Sequence, residues 1–393
     1  MTAQASADMN RPYASRIVIF YTTVFAFAAL YTPQPLLPMM RAEFGVSESA
    51  ASLLVSVTLL PLSFAPVVYG FLLQSVSAKR LISVSVAVIM ATEAGIFYSA
   101  SFPFILLMRF VQGLCIPAII TSLMTYVSGM GTAGNMQRLL SLYVASTILG
   151  GYFGRLLSGG MATWLGWRYS FLAIFVAMLV NLVLLRALKT DRKVAFTRLR
   201  PAAVTGIFFT GGYLRVYSSI FFSFFVFASL LNFLPFRLIE IGGDLSELKI
   251  SFIYTGYLTG CLAALFSSRI VRVLGSEARV IRSALACYLL STLLFMIHST
   301  AFAFANMFVF CAAMFLVHAV APGIVNRHAG DKSGLVNGLY ISCYYAGGTL
   351  GSWLPGYLYK HFGWNVYILF LAAVIILAFS IAWGIDRSRF ELS

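Results

Sequence analysis

The chain has 393 residues, 60% of them hydrophobic and 10% charged, with a mean hydropathy of +0.90. A soluble core cannot absorb that much apolar surface, whereas helices that satisfy their own backbone in lipid can, at ~20 apolar residues per crossing. The net charge of +15 does not point to nucleic acid, because the basic residues are scattered among loops and make no contiguous face with aromatic or base-edge readers.

The leading segment is short and polar, with Arg11 and Arg16, and no small-residue cleavage site follows the first apolar run, so a retained first helix is expected. Apolar runs between polar breaks then predict twelve spans, near 15–38, 51–74, 80–100, 103–129, 139–163, 168–187, 216–238, 250–268, 279–298, 301–322, 334–358 and 364–385. Of the 27 Lys and Arg, Arg41, Arg168, Arg237, Lys249 and Lys360 fall on one side and Arg109 and Arg155 inside spans. The remaining twenty fall on the side of the N-terminus. That skew predicts an inner-membrane protein with both termini in the cytoplasm.

Residues 139–167 and 336–364 align without gaps at an offset of 197, with nine of 29 positions identical, including Gly150/Gly347, Gly151/Gly348, Gly154/Gly351, Gly159/Gly356, Gly166/Gly363 and Trp167/Trp364. The fifth span is therefore the counterpart of the eleventh. The expected organisation is a six-helix bundle over 1–187, a basic cytoplasmic linker over 188–215 and a second six-helix bundle over 216–393. Parallel repeats of this kind rock about a site near midplane. Gly150-x-x-x-Gly154 and Gly347-x-x-x-Gly351 allow close backbone approach, and their duplication suggests a moving interface between the halves.

The residues resemble the major facilitator superfamily across essentially the whole chain. Arg109-Phe-Val-Gln112-Gly113 matches the family's fourth-span signature Arg-x-x-Gln-Gly. The segment from Gly70 to Lys79 and Arg80 is similar to the first gating signature, departing from it at Gln74, Ser75, Ser77 and Ala78. Gly150-Gly-Tyr-Phe-Gly154-Arg155-Leu-Leu-Ser-Gly159 is similar to the antiporter signature, with Arg155 in place of its proline. Together with Tyr31-Thr-Pro-Gln34-Pro-Leu-Leu-Pro38 and Asn232-Phe-Leu-Pro-Phe-Arg-Leu238, that arginine resembles a branch of small bacterial drug or sugar efflux permeases. The resemblance implies an all-α fold of twelve transmembrane helices in two pseudo-symmetric bundles, and export. It also implies that the fourth and fifth spans line the central cavity while the third is peripheral.

Ionisable groups inside the bilayer are costly and need a partner, a wet cavity or a role. Glu93 and Arg109 lie eight residues either side of position 101 on consecutive spans, which permits an ion pair. The alternatives for Arg109 are backbone carbonyls or the cavity. Arg155 has no acid in its own span, and its counterpart in the repeat is Ser352. An uncompensated guanidinium favours an anionic solute; snorkelling or carbonyl bonding would also satisfy it. His318, four residues before Pro322, suits packing better than proton carriage. Further substrate candidates are Tyr31, Gln34, Gln112, Tyr254, Tyr257, Tyr340 and Tyr344, polar tips on an apolar wall.

The five cysteines lie in spans and read as packing residues, with no disulfide or metal spacing. No paired carboxylates, nucleophile-base set or P-loop occurs, so neither an enzyme nor a cofactor is expected. The reading is a monomeric secondary transporter for a small, anionic or amphiphilic solute, exporting by alternating access with protons as a candidate coupling ion. An importer or facilitator of an organic anion, metal chelate or sugar is the alternative, and a non-transporting sensor or lipid-handling protein the more distant one.

Overall fold

The computed structural model describes residues 2–64, 69, 76–130, 136–188, 201–243, 245–329 and 332–385. The first span is the helix Thr2–Tyr31, continued by a 3-10 turn at Gln34–Leu36 and a short helix Leu37–Phe44. The second is Glu48–Leu62, the third Ala78–Tyr98, the fourth Phe102–Met130, the fifth Met136–Leu165 and the sixth Trp167–Leu184. A short helix Pro201–Phe209 precedes the seventh span, Gly211–Gly242, which begins before the expected 216. The eighth is assembled from Glu247–Ser251, a 3-10 turn Phe252–Gly256 and Tyr257–Leu274; the ninth is Glu277–Leu294 and the tenth Thr300–Arg327. The eleventh is Ser333–Gly351. After a turn at Pro355 the helix Gly356–Trp383 finishes the eleventh span, kinks at Gly363 and continues as the twelfth.

Local chemistry sets these boundaries. Ser47, Ser77, Ser246, Ser276 and Ser299 cap the helices that follow them, each hydroxyl accepting from the backbone N–H three residues on. The Gly-Trp pairs of the repeat mark two chain reversals: Gly166 and Gly363 have φ of 102° and 78°, a region that suits glycine. Each following indole donates outward, Trp167 to Glu43 and Trp364 to the Phe295 carbonyl.

The two halves repeat one contact pattern. In the first half the first span packs on the fifth, the second on the fourth, and the third on the fourth and sixth. The second half pairs the seventh with the eleventh, the eighth with the tenth, and the ninth with the tenth and twelfth. Among the described residues, eight helices are by length and apolarity alone able to cross a membrane. The second, fifth, ninth and eleventh spans are not among them; the GxxxG glycines of the fifth and eleventh lie against the first and seventh. The most apolar stretch of the seventh span is 89% buried, against 39% for the third, sixth, eighth and twelfth, so the seventh is central and those four lie at the rim, the eighth burying Ile253, Tyr254 and Tyr257 at its start. The chain is an all-α membrane protein of twelve helices in two pseudo-symmetric six-helix bundles.

Among the described residues the halves meet toward the end of the molecule opposite the start of the first helix, here the far end. There the second span lies against the eleventh, and the fifth against Glu247–Ser251. Thr163 Oγ1 accepts from the Leu248 N–H at 3.0 Å, and Ser56 Oγ donates to the Thr349 carbonyl at 2.6 Å.

Candidate substrate site and its two buried arginines

The first-span break creates the first arginine site. Pro33 has no N–H, so the Ala29 carbonyl loses its helical donor. Arg109 of the fourth span supplies a replacement: Nη1 donates to Ala29 O at 2.8 Å and to Gln112 Oε1 at 2.5 Å, Nη2 to Leu30 O at 2.6 Å, and Nε to Leu54 O at 2.9 Å. Arg109 is completely buried. It is thus held by carbonyls and does not contact the interface between halves, where it was expected as a substrate residue together with Gln112. Nor does it pair with Glu93. Both Glu93 carboxylate oxygens, like Gln112 Nε2, are buried without a hydrogen-bond partner. Equal depth on adjacent helices does not fix rotation about the helix axis, and the guanidinium turns instead to the unpaired carbonyls.

The second arginine sits between the halves. Arg155 is 0% exposed; Nε donates to Gln34 Oε1 at 2.5 Å, Nη1 to Gly151 O at 2.8 Å and Nη2 to Tyr257 Oη at 2.9 Å. Its guanidinium carbon lies 4.1, 4.8 and 4.5 Å from the ring centroids of Tyr31, Tyr254 and Tyr257, a three-sided aromatic cage. Tyr254 Oη is itself fixed by the Leu231 carbonyl at 3.0 Å. No acidic side chain among the described residues lies within ion-pair distance of Arg155. Snorkelling is excluded by its burial.

The network continues into the other half. Gln34 Nε2 donates to Asn232 Oδ1 at 2.6 Å, and Asn232 Nδ2 to Ser352 O at 3.0 Å. Arg155 and Ser352 are equivalent in the 197-residue repeat, and Gln34 and Asn232 are 198 apart on the equivalent first and seventh spans. The chain Arg155, Gln34, Asn232, Ser352 therefore crosses the pseudo-symmetry axis through two matched pairs. The arginine is where the symmetry fails.

Tyr340, Tyr344 and His318 form a neighbouring group. Tyr340 Oη lies 2.9 Å from His318 Nδ1, and Tyr344 stacks on Phe224 with ring centroids 3.7 Å apart and on His318 at 4.4 Å. Phe224 in turn stacks on Phe227 at 6.2 Å, and Phe227 lies 5.7 Å from Tyr257, so this aromatic wall is continuous with the Arg155 cage.

The Major Facilitator Superfamily pattern matches the chain over residues 19–316 and again over 216–391. The chain belongs to the major facilitator superfamily. It is 24% identical over 375 residues to the uncharacterized MFS-type transporter YybF of Bacillus subtilis (92% of this chain, 91% of that one). With the inner membrane transport protein YnfM of Escherichia coli it shares 26% over 389 residues (94% and 90%), and with the multidrug efflux protein YfmO of B. subtilis 24% over 370 residues (91% and 89%). A bacterial homologue of the human lysosomal transporter Spinster, in an inward-facing and unoccupied conformation, superposes with a TM-score of 0.81 at 12% identity, covering 96% of this chain and 97% of the other. A point mutant of the nucleoside transporter NupG gives 0.77 at 12% identity over 94% and 99%. The protein is a multi-pass membrane transporter, not an enzyme.

Within this superfamily member the signature glycine Gly113 has a plain cause: a Cβ there would meet Thr58 O at 2.5 Å, so the fourth span rests on second-span backbone. The expectation for the GxxxG glycines needs correction. Added Cβ atoms at Gly150 and Gly154 would strike Val24 and Ala28, and at Gly347 and Gly351 Phe221 and Phe225. These contacts lie inside each half, first on fifth and seventh on eleventh, and not across the moving interface. The interface glycines are Gly159, against Glu247 O and Ser251, and Gly356, against Ser49 and Phe233. They too are a repeat pair. Of the gating signature, Gly70 lies outside the described residues, Lys79 donates to the Leu188 carbonyl, and Arg80 is exposed at a helix start capped by Ser77. Asn232, Gly159 and Gly356 were marked in the sequence by a family-like motif and by the repeat, but not as residues of the site or of the contact between halves.

Proposed function

We propose that the protein is a secondary active exporter that moves a small organic anion, or an amphiphile with an anionic group, out across the bacterial inner membrane in exchange for protons. Residues 1–187 and 216–393 rock against each other as a monomer, with 188–215 as cytoplasmic connector and both termini in the cytoplasm. The observation that carries this reading is Arg155: a fully buried guanidinium between the halves, satisfied only by neutral partners among the described residues.

A carboxylate is a better partner than a carboxamide or phenol, since hydrogen bonds between charged groups are roughly twice as strong as neutral ones. Arg155 presents a planar fork that matches it. An anion arriving from the near, cytoplasmic end replaces Gln34 Oε1 and Tyr257 Oη, the two side-chain contacts that hold Arg155 to the first span and to the other half. Solute binding and release of the far-end seal are then one event, which is the differential affinity that a conformational change requires. The aromatic wall of Tyr254, Tyr257, Tyr340 and Tyr344 receives the apolar remainder of the solute. The charge skew supports the orientation, the far-end contacts support a state shut on that side, and the multidrug efflux relative supports export.

The test is exchange of radiolabelled organic anions, sugars and lipophilic cations in proteoliposomes containing wild type or Arg155→Gln. Exchange of an anion that is abolished in the variant is expected. Exchange confined to sugars or cations, unaltered by Arg155→Gln, refutes the proposal.

A further inference from the structure

Glu93 is 0% exposed in the far half of the third span, five residues before its end at Tyr98, and both its oxygens lack a partner at ordinary hydrogen-bond distance. The third span is flanked by the fourth and the sixth. From the fourth, Arg109 acts on the carboxyl group and the Gln112 side chain lies close enough to bond it weakly, although neither Glu93 oxygen nor Gln112 Nε2 has a partner at ordinary hydrogen-bond distance. From the sixth, no charged or titratable group among the described residues acts on it. A rim helix has no need of a carboxyl group for packing, and an unpaired carboxylate in this setting is unfavourable. The protonated acid is the form that the observed packing suits.

What stands next to Glu93 connects it to the anion site. Arg109 grips the carbonyls of Ala29 and Leu30, while Tyr31 and Gln34 cradle Arg155. One six-residue stretch of the first span, interrupted by Pro33 and therefore not locked into a helical ladder, touches both arginines. Arg109 can serve the carbonyls or a neighbouring carboxylate, and it prefers the charged acceptor when one exists.

We infer that Glu93 is a proton-binding site whose ionisation draws Arg109 away from the Ala29 and Leu30 carbonyls and so loosens Tyr31 and Gln34 from Arg155. In the arrangement observed, Glu93 carries its proton, Arg109 braces the first-span break and the far end is shut. Loss of the proton to water entering from the near end breaks only the carboxyl O–H bond, and the resulting carboxylate accepts from Arg109. The break in the first span then relaxes toward the far-open arrangement. Protonation from the far side restores the brace. The direction of this cycle rests on the exporter reading; the site and the route do not depend on which solute is carried.

The test uses the full chain in lipid nanodiscs without solute, in a background where the five cysteines are replaced. Spin labels are placed at Ser101→Cys and His361→Cys, exposed far-end positions in opposite halves. Infrared difference spectra on raising the pH are expected to show loss of a protonated carboxyl band, with the label-to-label distance lengthening at the same midpoint. Glu93→Gln removes the band and keeps the short distance at every pH, whereas Glu93→Asp retains both changes at a displaced midpoint. A wild-type distance that does not respond to pH, or a pH-driven lengthening that persists in Glu93→Gln, overturns the inference. Either result leaves the anion reading of Arg155 standing, since that is measured by solute exchange.

Discussion

Replacing Gly159 with alanine separates an inter-half contact from ordinary helix packing. The added Cβ would lie 1.9 Å from Ser251 Oγ and 2.5 Å from Glu247 O. Ser251 can rotate away after giving up its 2.8 Å bond to Glu247 O, but the backbone carbonyl cannot, so the fifth span must withdraw from the Glu247–Ser251 helix by roughly 1 Å to reach ordinary van der Waals distance. Overpacking of this size costs about 1–3 kcal/mol. The cost falls only on the conformation in which the far end is shut, so the equilibrium shifts roughly 5- to 150-fold toward the far-open state. Gly154→Ala is the matched control: its Cβ would lie 2.5 Å from Ala28 Cα within the same half, which penalises both conformations alike. Spin-label distances across the far end, with thermal unfolding in detergent alongside, read the two effects separately. A longer far-end distance for Gly159→Ala and a lower unfolding temperature without a distance change for Gly154→Ala are expected. Identical behaviour of the two variants would refute the assignment of Gly159 to the moving interface.

Other outcomes follow from the same contacts. Arg109→Ala leaves the Ala29 and Leu30 carbonyls and Gln112 without their donor, at about 1–3 kcal/mol for each buried group, and should lower thermal stability far more than Arg109→Lys, which retains a cation. By contrast, the half-exposed Arg168–Glu43 pair, at 2.7 Å with side chains 34% and 36% exposed, should contribute less than about 1 kcal/mol, so Glu43→Gln should barely move the unfolding temperature. Gln34→Ala and Asn232→Ala break one shared chain of hydrogen bonds; the double variant should destabilise the far-shut state by less than the sum of the singles, as a double-mutant cycle on the far-end distance would show.

The fold was legible because lipid imposes a strong pattern: apolar length gives the spans, loop charge gives the skew, and the repeated glycines join the fifth span to the eleventh. Tyr31, Gln34, Arg155, Tyr254 and Tyr257 are brought together much as a polar-tip reading suggests, because an intramembrane arginine has few ways to be satisfied. Asn232 and Ser352 were not legible as site residues, since a neutral polar side chain costs little in a central helix and leaves no charge signal. The GxxxG pairs announced close backbone approach without naming the partner, and the partner proved to be the first or seventh span of the same half. For Glu93 and Arg109, spacing from the turn gave depth, while the choice of partner depended on Pro33 four residues beyond Ala29, a long-range consequence of one missing N–H.

The claim that Arg155 is the anion-recognising group is tested most directly by thermal-shift titration of the purified transporter against a panel of organic anions, sugars and lipophilic cations, in wild type and in Arg155→Gln. A ligand that binds the folded state raises its apparent stability with concentration. Stabilisation by one or more anions is expected, with affinity falling roughly 10- to 150-fold in the variant, the loss of a charge-assisted hydrogen bond worth about 1.5–3 kcal/mol. Stabilisation by cations or sugars of equal strength in both proteins would contradict it.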